Sequence, residues 1–248
     1  LFRHICFIDE QALSWKPHSI RQSDGQGGET CHPARFRFAP QWRGLKVTLY
    51  GLAHMDNGEI AIGGVAYSGH HEHDEQTVFA FSNDGGATWS PYHLVEGRSV
   101  RPMMLAYVGN GVLTFSSGDR FFSRDYGRTW ESTPAPLASN GHPFISEGNA
   151  LVDRDENGIA ERIAETGQNF AEGREPVHPA CAFVRWSSDG GQTWEDESQP
   201  EAWRWQESYM GKTYVRSGGE GALVRAANGW IVAALRLDMH PRYFNHPF

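Results

Sequence analysis

Residues 82–89 read SNDGGATW, residues 123–130 read SRDYGRTW and residues 187–194 read SSDGGQTW. One word, Ser-x-Asp-x-Gly-x-Thr-Trp, thus stands three times in a chain of 248 residues. A fixed word recurring every few tens of residues marks a repeat architecture, in which each unit buries its apolar face against the next. The chemistry of the word is that of a turn. Asp84 is placed to accept hydrogen bonds from backbone N–H groups of its own turn, and Gly86 supplies the positive φ that closes it. Thr88 extends the returning strand, and Trp89 offers a large apolar wedge between neighbouring sheets. Asp125, Gly127, Thr129 and Trp130 repeat these parts, as do Asp189, Gly191, Thr193 and Trp194. Each aspartate is consumed in holding its own turn, so the word reads as structural rather than catalytic.

A second recurrence fills in the rest of the unit. HMDNGEIAIGGVA, YVGNGVLTFSSG, VDRDENGIAERIAE and VRAANGWIVAAL each set an Asn-Gly turn before a short apolar run. Asn-Gly between extended segments is the strongest short hairpin signal. The unit is therefore strand, Asn-Gly turn, strand, loop, strand ending in Phe or Trp, the repeated word and a closing strand. With 28 Gly, 13 Pro and little helical periodicity, the chain reads as all-β, with four-stranded antiparallel blades repeated radially in a propeller. A β-sandwich is the alternative. Residues 1–248 are read as one such domain.

The composition narrows the partners. A net charge of -8 and a pI near 5.8 argue against nucleic acid or an anionic membrane, which need a concentrated basic surface. No stretch approaches the roughly 18 apolar residues of a spanning helix. Cys6, Cys31 and Cys181 are too few and too scattered for a disulfide framework. One pair with a free thiol and three reduced thiols both stay open. The chain begins at Leu1 and ends in HPRYFNHPF, which reads as a processed chain or a fragment.

The repeated word is the Asp-box, or BNR repeat, and over about residues 47–236 the chain resembles the sialidase-like family of β-propellers that carries it. The resemblance implies six blades, whereas about four units stand here, so the expectation is a propeller incomplete at the C-terminus or an arc completed by something else. It also implies a glycoside hydrolase that removes a terminal, acidic sugar from glycans, needs no cofactor or metal, and is secreted or periplasmic. The other reading is a non-catalytic propeller that binds carbohydrate or protein.

In such enzymes arginines grip the substrate carboxylate through bidentate guanidinium pairs, an aspartate carries the proton, and a glutamate activates a tyrosine nucleophile. GGEGALVRAANGWIVAALR matches the family's glutamate strand and its following arginine, which makes Glu220 the activating base and Arg236 a carboxylate-binding residue. In VRPMMLAYVGNG, Arg101 precedes the turn glycine Gly111 at the family's spacing. SSGDRFFS offers Asp119 as acid/base. Arg242 in HPRYF is a further rim arginine, whereas Tyr243 stands at the wrong distance from Arg236 for the nucleophile, whose identity stays open. The first blade, LKVTLYGLAHMDNG, lacks an arginine at the matching place.

Two polar segments remain. SGHHEHDEQ gathers His70, His71, Glu72, His73, Asp74 and Glu75 between two strands; it reads as a solvated loop, with Asp74 a second acid/base candidate. DRDENG resembles the first half of a calcium loop in Asp153, Asp155, Asn157 and Gly158, but the closing glutamate is displaced, with Ala164 where the pattern wants it. A polar hairpin is the reading.

Overall fold

In a computed structural model, residues 19–23, 29–33, 46–67, 75–95, 100–169, 181–209 and 211–237 are described. The chain divides into two compact units, residues 1–37 and 38–248. In the first, β1 (Ser19–Ser23) and β2 (Glu29–Pro33) form an antiparallel hairpin with Ser19 opposite Pro33.

The second unit is a series of antiparallel blades, each formed by strands consecutive in sequence. Blade I holds β3 (Lys46–His54), β4 (Ile60–Tyr67), β5 (Gln76–Ser82) and β6 (His93–Leu94). Blade II holds β7 (Met103–Gly109), β8 (Val112–Ser117), β9 (Asp119–Ser123) and β10 (Glu131–Pro134). Blade III holds β11 (Ile145–Arg154), β12 (Ala160–Asn169), β13 (Cys181–Ser187) and β14 (Glu195–Ser198). Blade IV, after a 3-10 turn at Glu201–Trp203, has three strands among the described residues: β15 (Arg204–Tyr209), β16 (Lys212–Arg225) and β17 (Ile231–Leu237). The inner strands β3, β7, β11 and β16 pack each against the next. The fold is all-β, a propeller arrangement of about four blades, as the repeats predict.

The turns explain the repeats. In blade II, Asn110 and Gly111 both take positive φ, 51° and 78°, and make a two-residue hairpin from β7 to β8. The other Asn-Gly turns have three-residue loops and close with matching bonds: Met55 N–H to Glu59 O, Asp155 N–H to Ile159 O and Ala226 N–H to Trp230 O. The repeated word closes each third strand. In blade I, Ser82 Oγ donates to Asp84 and accepts from the Gly86 N–H, while Asp84 accepts from both the backbone and hydroxyl of Thr88, at 2.8 and 2.6 Å. Thr88 and Ser82 hold the exposed Asp84 carboxyl down to about 2. Burial works against the same effect at Asp125 and Asp189, and the bonds from Thr129 and Ser123, and from Thr193 and Ser187, outweigh it.

The blades meet through two different cores. Between I and II the seam is aromatic: Trp130 stacks on Phe79 at 4.7 Å and meets Phe115 edge-on at 4.8 Å, with Phe115 stacked on Phe121. That is the wedge role read from the word. Between II and III the seam is ionic. Glu165 accepts from Arg120 at 3.1 Å and from Arg185 at 2.7 Å, and all three side chains are sealed from solvent. Both guanidiniums lie over Trp194, each 4.6 Å from its ring centroid.

Candidate functional site

The meander gives every blade two ends. One carries the Asn-Gly turns and the repeated word, and it is tied across blades by polar pairs. Arg128 in the word of blade II bonds both oxygens of Glu59 in blade I, Arg154 of blade III bonds the Tyr107 carbonyl in blade II, and Arg225 of blade IV bonds Asp153 of blade III. Asp153 is thereby engaged by an arginine, and Asp155 accepts the N–H groups of Asn157 and Ile159 in its own turn. The calcium-like segment is a hairpin. Among the described residues no group of three or more His, Cys, Asp or Glu side chains is placed to hold a metal. Among the described residues no helix is long and apolar enough to cross a membrane.

The opposite end collects the starts of the inner strands, the ends of the second strands and the starts of the third. Along their length the inner strands share an irregularity. In β3 the register jumps from Leu49–Gly64 to Gly51–Gly63, which leaves Tyr50 as an extra residue. In β7 it jumps between Met103 and Ala106, in β11 between Glu147 and Leu151, and in β16 between Gly218 and Gly221. Each bulge ends three or four residues before the end of its strand. Met104 takes a φ of 53° at one of them, with its side chain fully buried, and Gly148 takes 66° at another. Bulges at one level re-aim side chains, and they concentrate beside functional sites.

Two of these bulges carry a glutamate followed by a glycine. Glu147 precedes Gly148 at the bulge of β11, and Glu220 precedes Gly221 within the bulge of β16. The strands approach so closely that Thr166 Oγ1 donates to the Gly221 carbonyl at 2.8 Å, with a longer contact of 3.3 Å to the Glu147 carbonyl. Glu147 is only 9% exposed and accepts from Gln168 Nε2 at 3.2 Å. The Glu220 carboxylate pairs with Arg236 Nη1 at 2.5 Å, on side chains that are 44% and 59% exposed.

Blades I and II supply the rest. Arg101, just before β7, donates to both oxygens of Glu75, at 3.1 and 3.4 Å, and its backbone N–H donates to Ser117 Oγ. Glu75 is nearly buried, and half of Arg101 stands in solvent. Burial pushes the Tyr50 phenol up; Arg101 pulls it down, while Glu75, Tyr67 and Glu147 push it further up. Those five groups therefore share one electrostatic neighbourhood that reaches from blade I to blade III.

Of the residues read from the sequence, Glu220 and Arg236 are in direct contact. Arg101 lies at the same end of the blades but is engaged by Glu75, and Asp119 starts β9 beside the turn from Ser117. Asp74 and Arg242 lie outside the described residues, with the neighbouring histidines and Tyr243. Sequence reasoning passed over Glu147, Tyr50 and Gln168. The signal for Glu147 was present in the parallel between EGNALV at 147–152 and EGALV at 220–224, offset by one inserted residue.

No family model matches the sequence, and no curated protein matches it. Several solved structures do. An α-L-arabinanase of Penicillium chrysogenum, solved with arabinobiose, is 14% identical over 76% of this chain and 57% of its own, with a TM-score of 0.45. The endosialidase of phage phi92 is 12% identical over 71% of this chain and 29% of its own, at 0.42. The intramolecular trans-sialidase of leech is 14% identical over 65% of this chain and 28% of its own, at 0.33. The chain thus spans between 28% and 57% of the length of these structures. Its own strand pairing, rather than these similarities, establishes the blades.

Proposed function

We propose that the protein is a glycoside hydrolase of the Asp-box propeller kind, with its site where the bulged inner strands converge and with Glu147 and Glu220 as its working carboxyl groups. The observation that carries this reading is the close approach of the Glu147–Gly148 and Glu220–Gly221 segments on adjacent inner strands, where Thr166 Oγ1 donates to the Gly221 carbonyl and lies 3.3 Å from that of Glu147. Most glycoside hydrolases use one carboxyl group to protonate the leaving oxygen and a second to activate water or attack the sugar. Glu220, ion-paired with Arg236, suits the base or nucleophile. Glu147, buried beside the neutral amide of Gln168, suits the proton carrier.

The finer form of this reading takes a terminal acidic sugar, with Arg236, Arg101 and Arg242 gripping its carboxylate and Asp119 or Asp74 carrying the proton. Arg236 and Arg101 are each engaged by a glutamate, so a substrate carboxylate would compete with Glu220 and Glu75 for them. The test is a panel of 4-methylumbelliferyl glycosides: N-acetylneuraminic acid against neutral pyranosides and furanosides. Turnover of at least one, lost in Glu220→Gln, is expected. Turnover of the sialoside that depends on Arg236 supports the acidic sugar, and turnover of neutral sugars alone removes it. No turnover anywhere, or turnover that Glu220→Gln leaves unchanged, overturns the enzyme and leaves a binding propeller.

A further inference from the structure

The hydrolytic step proposed for Glu147 and Glu220 makes no use of the Glu75–Arg101 pair, and the acidic-sugar form of that reading, which takes Arg101 for a substrate carboxylate, is set aside because Glu75 already holds this guanidinium. The pair differs from the surface ion pairs of the molecule. Arg124 and Glu131, for instance, are both more than 60% exposed, and such pairs contribute little. Glu75 has a side chain only 10% exposed, clamps Arg101 through both oxygens, and lies in the electrostatic neighbourhood of Tyr50. Tyr50 in turn is the residue that β3 expels from its ladder.

From this arrangement we infer that Tyr50, Glu75 and Arg101 form a sugar-binding subsite that reads a vicinal diol on the unit next to the bond cleaved between Glu147 and Glu220. The inference rests on the glycoside hydrolase reading of the same site. Its chemistry is that of a fixed donor beside a fixed acceptor. A vicinal diol offers two hydroxyls that each donate and accept, so a guanidinium can donate to one while the adjacent carboxylate accepts from the other. Both partners are pre-oriented by their own contact, which reduces the ordering needed on binding. The tyrosine gives the sugar ring an apolar wall with a polar tip. An uncharged sugar unit suits this subsite, because Glu75 opposes a second carboxylate at Arg101.

The test separates binding from turnover. Xylobiose, maltose, lactose and 3′-sialyllactose are titrated into the full chain by isothermal calorimetry and saturation-transfer NMR. The wild type is compared with Glu75→Gln, Tyr50→Phe and Glu220→Gln. At least one neutral disaccharide is expected to bind the wild type, and to bind Glu75→Gln about tenfold or more weakly. Its partly O-methylated analogue, which lacks the diol, should bind wild type and Glu75→Gln alike. Tyr50→Phe keeps the ring and guards against a Glu75 variant that fails to fold; it is expected to weaken the same disaccharide. Glu220→Gln should still bind. Loss of binding in Glu75→Gln without turnover in the wild type keeps the subsite and removes the hydrolase. No binding of any of the four sugars, or binding that both Glu75→Gln and Tyr50→Phe leave intact, overturns the subsite.

Discussion

Gly148 runs so close to Gly221 that a Cβ at residue 148 would stand 1.9 Å from the Gly221 carbonyl oxygen. This contact joins the bulges that carry Glu147 and Glu220, and it tolerates no side chain because the obstacle is backbone. Residue 148 also has a φ of 66°. Gly148→Ala is expected to cost about 3 kcal/mol or more, from strain and from the clash together. Gly118→Ala, at a φ of 74° but with nothing within 4 Å of the new Cβ, should cost only about 1–2 kcal/mol. Urea denaturation of the two variants checks the difference, and equal losses would show that the close approach is not constraining.

The buried Arg120–Glu165–Arg185 cluster makes a second expectation. Removing the Glu165 carboxylate takes from two buried guanidiniums the charge that both of them bond. Glu165→Gln should therefore lose about 3–5 kcal/mol, whereas Glu131→Gln, which breaks an exposed pair, should change stability by about 0–1 kcal/mol. The denaturant midpoints measure both. A mild Glu165→Gln variant would mean that stacking on Trp194, rather than charge pairing, holds the seam between blades II and III.

Acid tests the turns of the repeated word. The Asp84 carboxyl lies at about 2 in the folded chain against 3.8 for an unperturbed one, so between those values the unfolded chain binds more protons. Stability from this group is complete above about pH 4 and is lost as the pH falls towards 2. Asp125 and Asp189 are lowered too and act in the same direction. Melting temperatures between pH 7 and pH 2 should fall mainly below pH 4. Asp84→Asn should start lower and lose less in that window; an identical acid slope would remove Asp84 from it.

The fold was legible because its turns are local chemistry. Ser82, Asp84, Gly86 and Thr88 complete their bonds among themselves, so the word means the same thing wherever it stands. Asn110 and Gly111 likewise carry their hairpin in their own φ preferences. The seams and the site were less legible because they depend on partners far along the chain. Arg120, Glu165 and Arg185 look like solvent-facing residues of their strands until the blades close over them. Glu220 and Arg236, sixteen residues apart, were readable across one hairpin. Glu147 was hidden by Asn149, which shifts its segment by one residue against that of Glu220, and Tyr50 by a bulge that alternation does not announce.

The measurement that tests the central claim most directly is the turnover of Glu147→Gln and Glu220→Gln on whichever glycoside the wild type cleaves, with circular dichroism and melting curves to show that both variants are folded. If Glu147 and Glu220 are the working carboxyl groups, each variant loses about 10²–10⁴-fold in kcat with its fold intact. Full activity in either folded variant would contradict the assignment.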